Sequence, residues 1–278
     1  MPAEPEAGPW APLPPEPQPG TGSAPDSLAA ERSPKPQGPG WSGWELLVIA
    51  VTFVVTNFCF GAVAAGYVAH RHHETLDQLA VDVRVIVPAQ VLAYLVTFLV
   101  MYLVVARIYG RPFWAGVKWI WPEKASLVPG MVLAGALLAV AIGYLETVLP
   151  MPSQVPFQRF FTTAGSAFIM GILAVFAAPL MEELFFRGFL YPVLRRWGAV
   201  LAVVLTSLAF AAVHGAQYGW AWAAVLLMFV VGAVLTLARA WSGSIVPGFL
   251  IHGAYNLTLF TALYFATGHF HHLERLGQ

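Results

Sequence analysis

A chain of 278 residues with 58% hydrophobic side chains, 10% charged residues, no formal net charge and a mean hydropathy of +0.69 is too apolar for a water-soluble enzyme. It also lacks the basic surface that nucleic-acid binding requires, so no nucleic acid is expected among its partners. The composition is that of a polytopic membrane protein, and its single cysteine, Cys59, set in an apolar run, excludes an intrachain disulfide.

Residues 1–43 hold 12 of the 22 prolines, mixed with Gly, Ser and Glu and without hydrophobic periodicity, and are expected to form a disordered tail. No basic segment followed by a short apolar core marks a cleaved signal peptide, so the first span is expected to act as an uncleaved anchor. Residues 44–278 form the expected membrane domain. Stretches that reach the roughly 20 apolar residues of a bilayer crossing fall near 45–69, 85–106, 126–148, 163–196, 199–217, 220–239 and 245–267. None shows the strict alternation of a membrane barrel strand, so the fold class is all-α, a bundle of about seven transmembrane helices. Trp41, Trp44, Trp114, Trp119, Trp121, Trp197, Trp220, Trp222 and Trp241 lie near span ends or in connections, where interfacial anchors belong.

Basic residues near the span ends set the expected orientation. With the N-terminus inside, the inner face carries Arg32, Lys35, Arg107, Arg111, Lys118, Lys124, Arg187, Arg195, Arg196 and Arg239, and the outer face only Arg71, Arg84, Arg159 and Arg275. Ten against four favours a cytoplasmic N-terminus. The expected setting is an integral, multi-pass protein of a bacterial inner membrane, in contact with its lipids.

Against this apolar background three polar constellations stand out. The stretch APLMEELFFRGFL, residues 178–190, places Glu182, Glu183 and Arg187 at the end of a run that has no charge from Phe160 to Met181. An ionised group at the bilayer centre costs roughly 2.5–3.5 kcal/mol on insertion scales, so a functional reading competes with that of an ordinary i, i+4 surface pair. Phe210 and His214 lie in a second uncharged stretch, and His252 and Asn256, at i, i+4, share one face of a third helix. Taken singly, a membrane histidine is most often a packing hydrogen bonder. Depth links them: Glu182 and His214 each lie 16 residues from a turn at Gly198, which is about 24 Å of helix on both sides. His252 and Asn256 fall about 14–20 Å from a second turn near Gly243. The layer they define is expected in the membrane half away from Trp197. Pro179, three residues before the acidic pair, removes a backbone donor and is expected to open the helix there.

These motifs, EExxxR at 182–187, FxxxH at 210–214 and HxxxN at 252–256, in that order on successive helices, resemble the CPBP family of intramembrane proteases, the CAAX-protease and bacteriocin-processing group that includes the type II CAAX prenyl endopeptidases. The resemblance covers about residues 165–260; the tail and first three spans carry no diagnostic motif.

The residue types suit peptide hydrolysis. A base must take a proton from water, and Glu182 with His214 is the candidate pair. A developing oxyanion needs donors, which His252 and Asn256 can supply from one helical face; the resemblance implies the same roles. Glu183 and Arg187, one turn apart, suit an internal ion pair. Two histidines and a carboxylate also suit a catalytic zinc, and the family is often described as metalloproteases, but no HExxH is present; the cofactor is unknown, with zinc open and not required. The resemblance implies as partner a protein or peptide substrate at the membrane, prenylated or otherwise lipidated in the CAAX-processing members. A transporter and a non-catalytic binding or immunity protein are the alternatives; no inverted repeat supports the first, and the complete motif set argues against the second. The sequence ends HHLERLGQ, without a CaaX box, so the chain is not expected to be its own substrate.

Overall fold

The computed structural model describes residues 40–73 and 75–275. The expected disordered tail therefore lies, apart from its last residues, outside the described residues. Among the described residues seven helices are long and apolar enough to cross a membrane: α1 Gly43–His72, α2 Val83–Ile108, α3 Ala125–Val148, α4 Ala164–Trp197, α5 Ala199–Tyr218, α6 Trp222–Ser242 and α7 Val246–Ala266. Among the described residues no strand occurs. The protein is an integral, multi-pass membrane protein, all-α as its composition requires.

Local chemistry sets the helix ends. Ser42 caps α1: its hydroxyl accepts from the Trp44 N–H, while the Glu45 carboxylate accepts from the Ser42 N–H at 2.7 Å, so two otherwise orphaned donors are satisfied. At the other end His73, in the left-handed conformation, donates to the Ala69 carbonyl. Between these caps α1 buries only Leu46, Ile49 and Val68 and leaves Val51, Val54, Phe58 and Val63 exposed. A helix this apolar all round is stable only with lipid against it.

Lipid tails are as apolar as leucine, so the helices hold one another through close packing and polar contacts. The α1–α2 hairpin is tied by Asn57, whose amide donates to Gln90 Oε1 at 3.0 Å, and by the stacked rings of Phe53 and Tyr94, 5.8 Å apart. α3 meets α7 at Gly135, where a Cβ would stand 2.3 Å from the Ile251 carbonyl oxygen; only glycine allows that approach. The connections fasten one end of the bundle. Trp41 Nε1 donates to the Phe189 carbonyl at 3.1 Å, Arg196 donates to the Trp41 carbonyl, and Ser244 Oγ donates to the Ile120 carbonyl at 2.7 Å.

Two side chains depart from their expected places. Trp41 is fully buried against Phe189, 4.8 Å between ring centroids, and serves as a packing wedge, not an interfacial anchor. Arg239, counted above among the inner basic residues, is buried inside the bundle with its guanidinium 5.5 Å from the Tyr191 ring. Its charge, like that of the fully buried Arg187, therefore bears on packing and not on orientation, which leaves eight inner basic residues against four.

Candidate active site

The helix that carries the acidic pair is not a regular α-helix. α4 contains two π-helical stretches, Leu173–Ala177 and Glu183–Leu190, and each ends for the same reason. In the first, the Leu173 carbonyl accepts from the Ala178 N–H five residues on; the next carbonyl in that register, Ala174, looks to residue 179, which is proline and has no N–H. Asn256 supplies the missing donor from α7, its Nδ2 lying 2.6 Å from the Ala174 oxygen. In the second stretch the Phe186 carbonyl accepts from the Tyr191 N–H, and Arg187 would look to Pro192. Here Arg239 Nε, from α6, donates to the Arg187 carbonyl at 3.2 Å. The opening expected at Pro179 is thus a change of helical register, closed by a side chain from a later helix.

Glu182 stands between the two stretches. Its Oε2 is 3.8 Å from His214 Nε2 and 3.8 Å from His252 Nε2, so α4, α5 and α7 bring the three groups together, Glu182 and His214 at the common level that the count from Gly198 gives. Both distances exceed a hydrogen bond, and Glu182 Oε2 is buried without a hydrogen-bond partner among the described residues. The imidazole tautomers follow from their other nitrogens. His214 Nδ1 lies 2.8 Å from the Phe210 carbonyl, which can only accept, so Nδ1 carries the hydrogen and a neutral ring presents its Nε2 lone pair to Glu182. His252 Nδ1 lies 3.2 Å from Glu183 Oε1 and donates to it, which aims its Nε2 at Glu182 as well.

Behind this face lies a fully buried ion pair. Arg187 Nη1 donates to Glu183 Oε1 at 2.9 Å, Nη2 to the Gly232 carbonyl at 2.9 Å, and Nε to Thr236 Oγ1 at 3.3 Å. The guanidinium also stacks 4.7 Å from the centroid of Phe210, the aromatic residue of the second motif. Glu183 thereby couples the guanidinium to His252. The internal role expected for Glu183 and Arg187 matches this placement; Asn256, by contrast, sits one turn beyond His252 with one amide hydrogen committed to Ala174.

As placed, these side chains do not fit a tetrahedral zinc. Two ligands each about 2 Å from such a metal lie roughly 3.3 Å apart, and the carboxylate oxygen is 3.8 Å from both imidazole nitrogens. Among the described residues no three His, Cys, Asp or Glu side chains are spaced to hold a metal ion.

Glu182 and His214 line a cavity of about 470 Å³. α1 also lines it, through Ile49, Phe53 and Val54, as does α2, through Gln90, Tyr94, Thr97 and Met101. The α2 residues were not singled out from sequence. Their signal is weak but present: Gln90, Tyr94 and Thr97 fall at i, i+4 and i+7, one polar stripe on an otherwise apolar span. Thr236 and Arg239, which hold Arg187 and its carbonyl, were likewise missed as site residues, because nothing in their local sequence marks them.

No curated protein and no solved structure gives a match to the chain. The segment that builds this site, residues 163–258, matches the family model described as type II CAAX prenyl endopeptidase Rce1-like, so it is in α4 to α7 that the chain is similar to that family of membrane endopeptidases.

Proposed function

We propose that the protein is an intramembrane endopeptidase that hydrolyses a peptide bond of a membrane-associated, prenylated or otherwise lipidated protein, using water activated by Glu182 and His214. The observation that carries the reading is that two acceptors, the Glu182 carboxylate and the His214 Nε2 lone pair, face each other 3.8 Å apart at the edge of the cavity. Two acceptors at that spacing suit a single water that donates one hydrogen to each. Such a water keeps its lone pairs free for attack on a carbonyl entering from the cavity. Glu182 takes the proton as the oxygen–carbon bond forms, and the same proton then passes to the leaving amine. The buried Glu183–Arg187 pair fixes His252, and an oxyanion role for His252 requires a hydrogen on its Nε2 in addition to that on Nδ1. The apolar walls of the cavity suit a lipid chain attached to the substrate. The N-terminus is assigned to the cytoplasmic side on the count of basic residues.

The test is hydrolysis of a fluorogenic farnesylated peptide ending in a CaaX box by purified protein in proteoliposomes, with the unprenylated peptide beside it. Glu182→Ala and His214→Ala should each abolish cleavage while still inserting. Near wild-type turnover by either variant overturns the water-activating pair, and equal cleavage of the unprenylated peptide overturns the lipidated substrate.

A further inference from the structure

Hydrolysis by activated water needs hydrogen-bond donors for the oxyanion as well as a base. The two groups that the motifs offer are partly committed: Asn256 Nδ2 donates to Ala174, and His252 Nδ1 donates to Glu183. Tyr94, on α2, lines the same cavity as Glu182 and His214. Its position is heavily constrained. The ring stacks on Phe53, one helical turn along α2 from Gln90. Gln90 Oε1 is occupied by the Asn57 amide at 3.0 Å, so Gln90 has its own amide hydrogens to give. A phenol oxygen that accepts from Gln90 has its own hydrogen left to donate. With its oxygen taken, Gln90 can only donate towards the phenol one turn on, which leaves the Tyr94 O–H for a ligand in the cavity.

A second group points the same way. Thr97, one turn along α2, lines the cavity, is only 3% exposed, and its hydroxyl has no hydrogen-bond partner among the described residues. A buried hydroxyl without a partner normally costs about 1–3 kcal/mol, so one held against a cavity is a group awaiting a polar ligand. Neither side chain belongs to the three motifs.

Resting on the hydrolase reading above, we propose that Tyr94 is a further catalytic residue, whose phenolic hydrogen bonds the scissile carbonyl oxygen from the α2 side of the cavity that Glu182 lines, with Thr97 binding the substrate backbone beside it. Tyr94 keeps its proton throughout; it stabilises the charge that develops on the carbonyl oxygen when the water attacks. The substrate segment is therefore clamped between α2 and α4, its carbonyl oxygen towards α2 and its attacked face towards Glu182.

The test is Tyr94→Phe, which deletes one oxygen and retains the stack on Phe53, assayed on the farnesylated CaaX peptide and on the same peptide with a thioamide at the scissile bond. The expected result is a fall in kcat on the order of 100-fold with KM within about twofold, and a much smaller fall on the thioamide, whose sulfur is a poor acceptor. Elution of the variant as wild type in gel filtration and an unchanged melting temperature establish that the fold is retained. A kcat within twofold of wild type, or equal losses on amide and thioamide, overturns the assignment; if Glu182→Ala abolishes cleavage in the same assay, the hydrolase reading survives that result. Absence of cleavage by the wild-type protein itself overturns both.

Discussion

Replacing Gly248 by alanine tests whether Glu183 is held in place. A Cβ on Gly248 would stand 2.5 Å from Glu183 Oε2 and 3.4 Å from its Cδ. Ordinary contact begins at 3.4 Å, so the carboxylate oxygen must retreat by about 0.9 Å. On the surface a glutamate would swing aside at little cost. Here the side chain is fully buried, and its other oxygen already accepts from Arg187 Nη1 at 2.9 Å and His252 Nδ1 at 3.2 Å. Turning the carboxylate away from the new methyl pulls Oε1 off one or both donors. Overpacking of this kind costs typically about 1–3 kcal/mol, and the helix-propensity gain of alanine over glycine offsets at most about 1 kcal/mol of it. The expected outcome for Gly248→Ala is a lower melting temperature in detergent and, because His252 is loosened, a fall in kcat of roughly tenfold or more. Gly143→Ala on α3, where an added Cβ meets nothing within 4 Å, is the control and should melt no lower than wild type. A Gly248→Ala protein that melts and turns over as wild type would refute the claim that the ion pair fixes His252.

Four further outcomes are expected. Asn256→Ala should destabilise by about 1–3 kcal/mol by leaving the Ala174 carbonyl unsatisfied, and Asn256→Asp should do no better, since a carboxylate cannot donate. In a Pro179→Ala background, where residue 179 regains its N–H, Asn256→Ala should cost less, with a coupling of about 0.5–3 kcal/mol read by denaturation of the four proteins. Removing metal with a chelator should leave hydrolysis intact; activity restored only by added zinc would sink water activation by Glu182 and His214 alone. In a Cys59→Ala background, single cysteines placed near Arg195 should label from the cytoplasmic side and those near His269 only from outside; labelling of both from one side overturns the seven-span order.

Much of the fold was legible because membrane helices announce themselves one at a time. Each span is a continuous apolar run, and the observed ends fall within a few residues of those expected, as at 126–148 against Ala125–Val148. The convergence of Glu182 and His214 was legible too, since equal distances from one turn at Gly198 fix equal depth whatever the packing. What the sequence did not disclose is pairing across helices. Asn256 shares a face with His252 by spacing, and from that alone a shared role follows; its actual partner, the Ala174 carbonyl, exists only because the π-helical register reaches Pro179. Arg239 reads as a flanking positive charge until the fold shows the Arg187 carbonyl beneath it. Tyr94 and Thr97 were hidden for another reason: uncharged polar side chains cost little in a span, so their presence excites no suspicion before a cavity appears beside them.

The two proline-terminated stretches of α4 bear on how the chain is made. The partners that complete them, Asn256 and Arg239, lie on α7 and α6, well after α4 in the order of synthesis. When α4 first enters the bilayer, the carbonyls of Ala174 and Arg187 have no donor, and each such group in hydrocarbon costs several kcal/mol. The helix bearing the acidic pair is therefore an unfinished element until the last two spans arrive. Chains released early, ending before Trp222, should expose α4 to water or to quality-control proteases, and pulse-chase decay of such fragments should be faster than that of the full chain. Equal half-lives would show that lipid or solvent satisfies those carbonyls without α6 and α7. In this sense α4 is completed only when translation has delivered the two helices that follow α5.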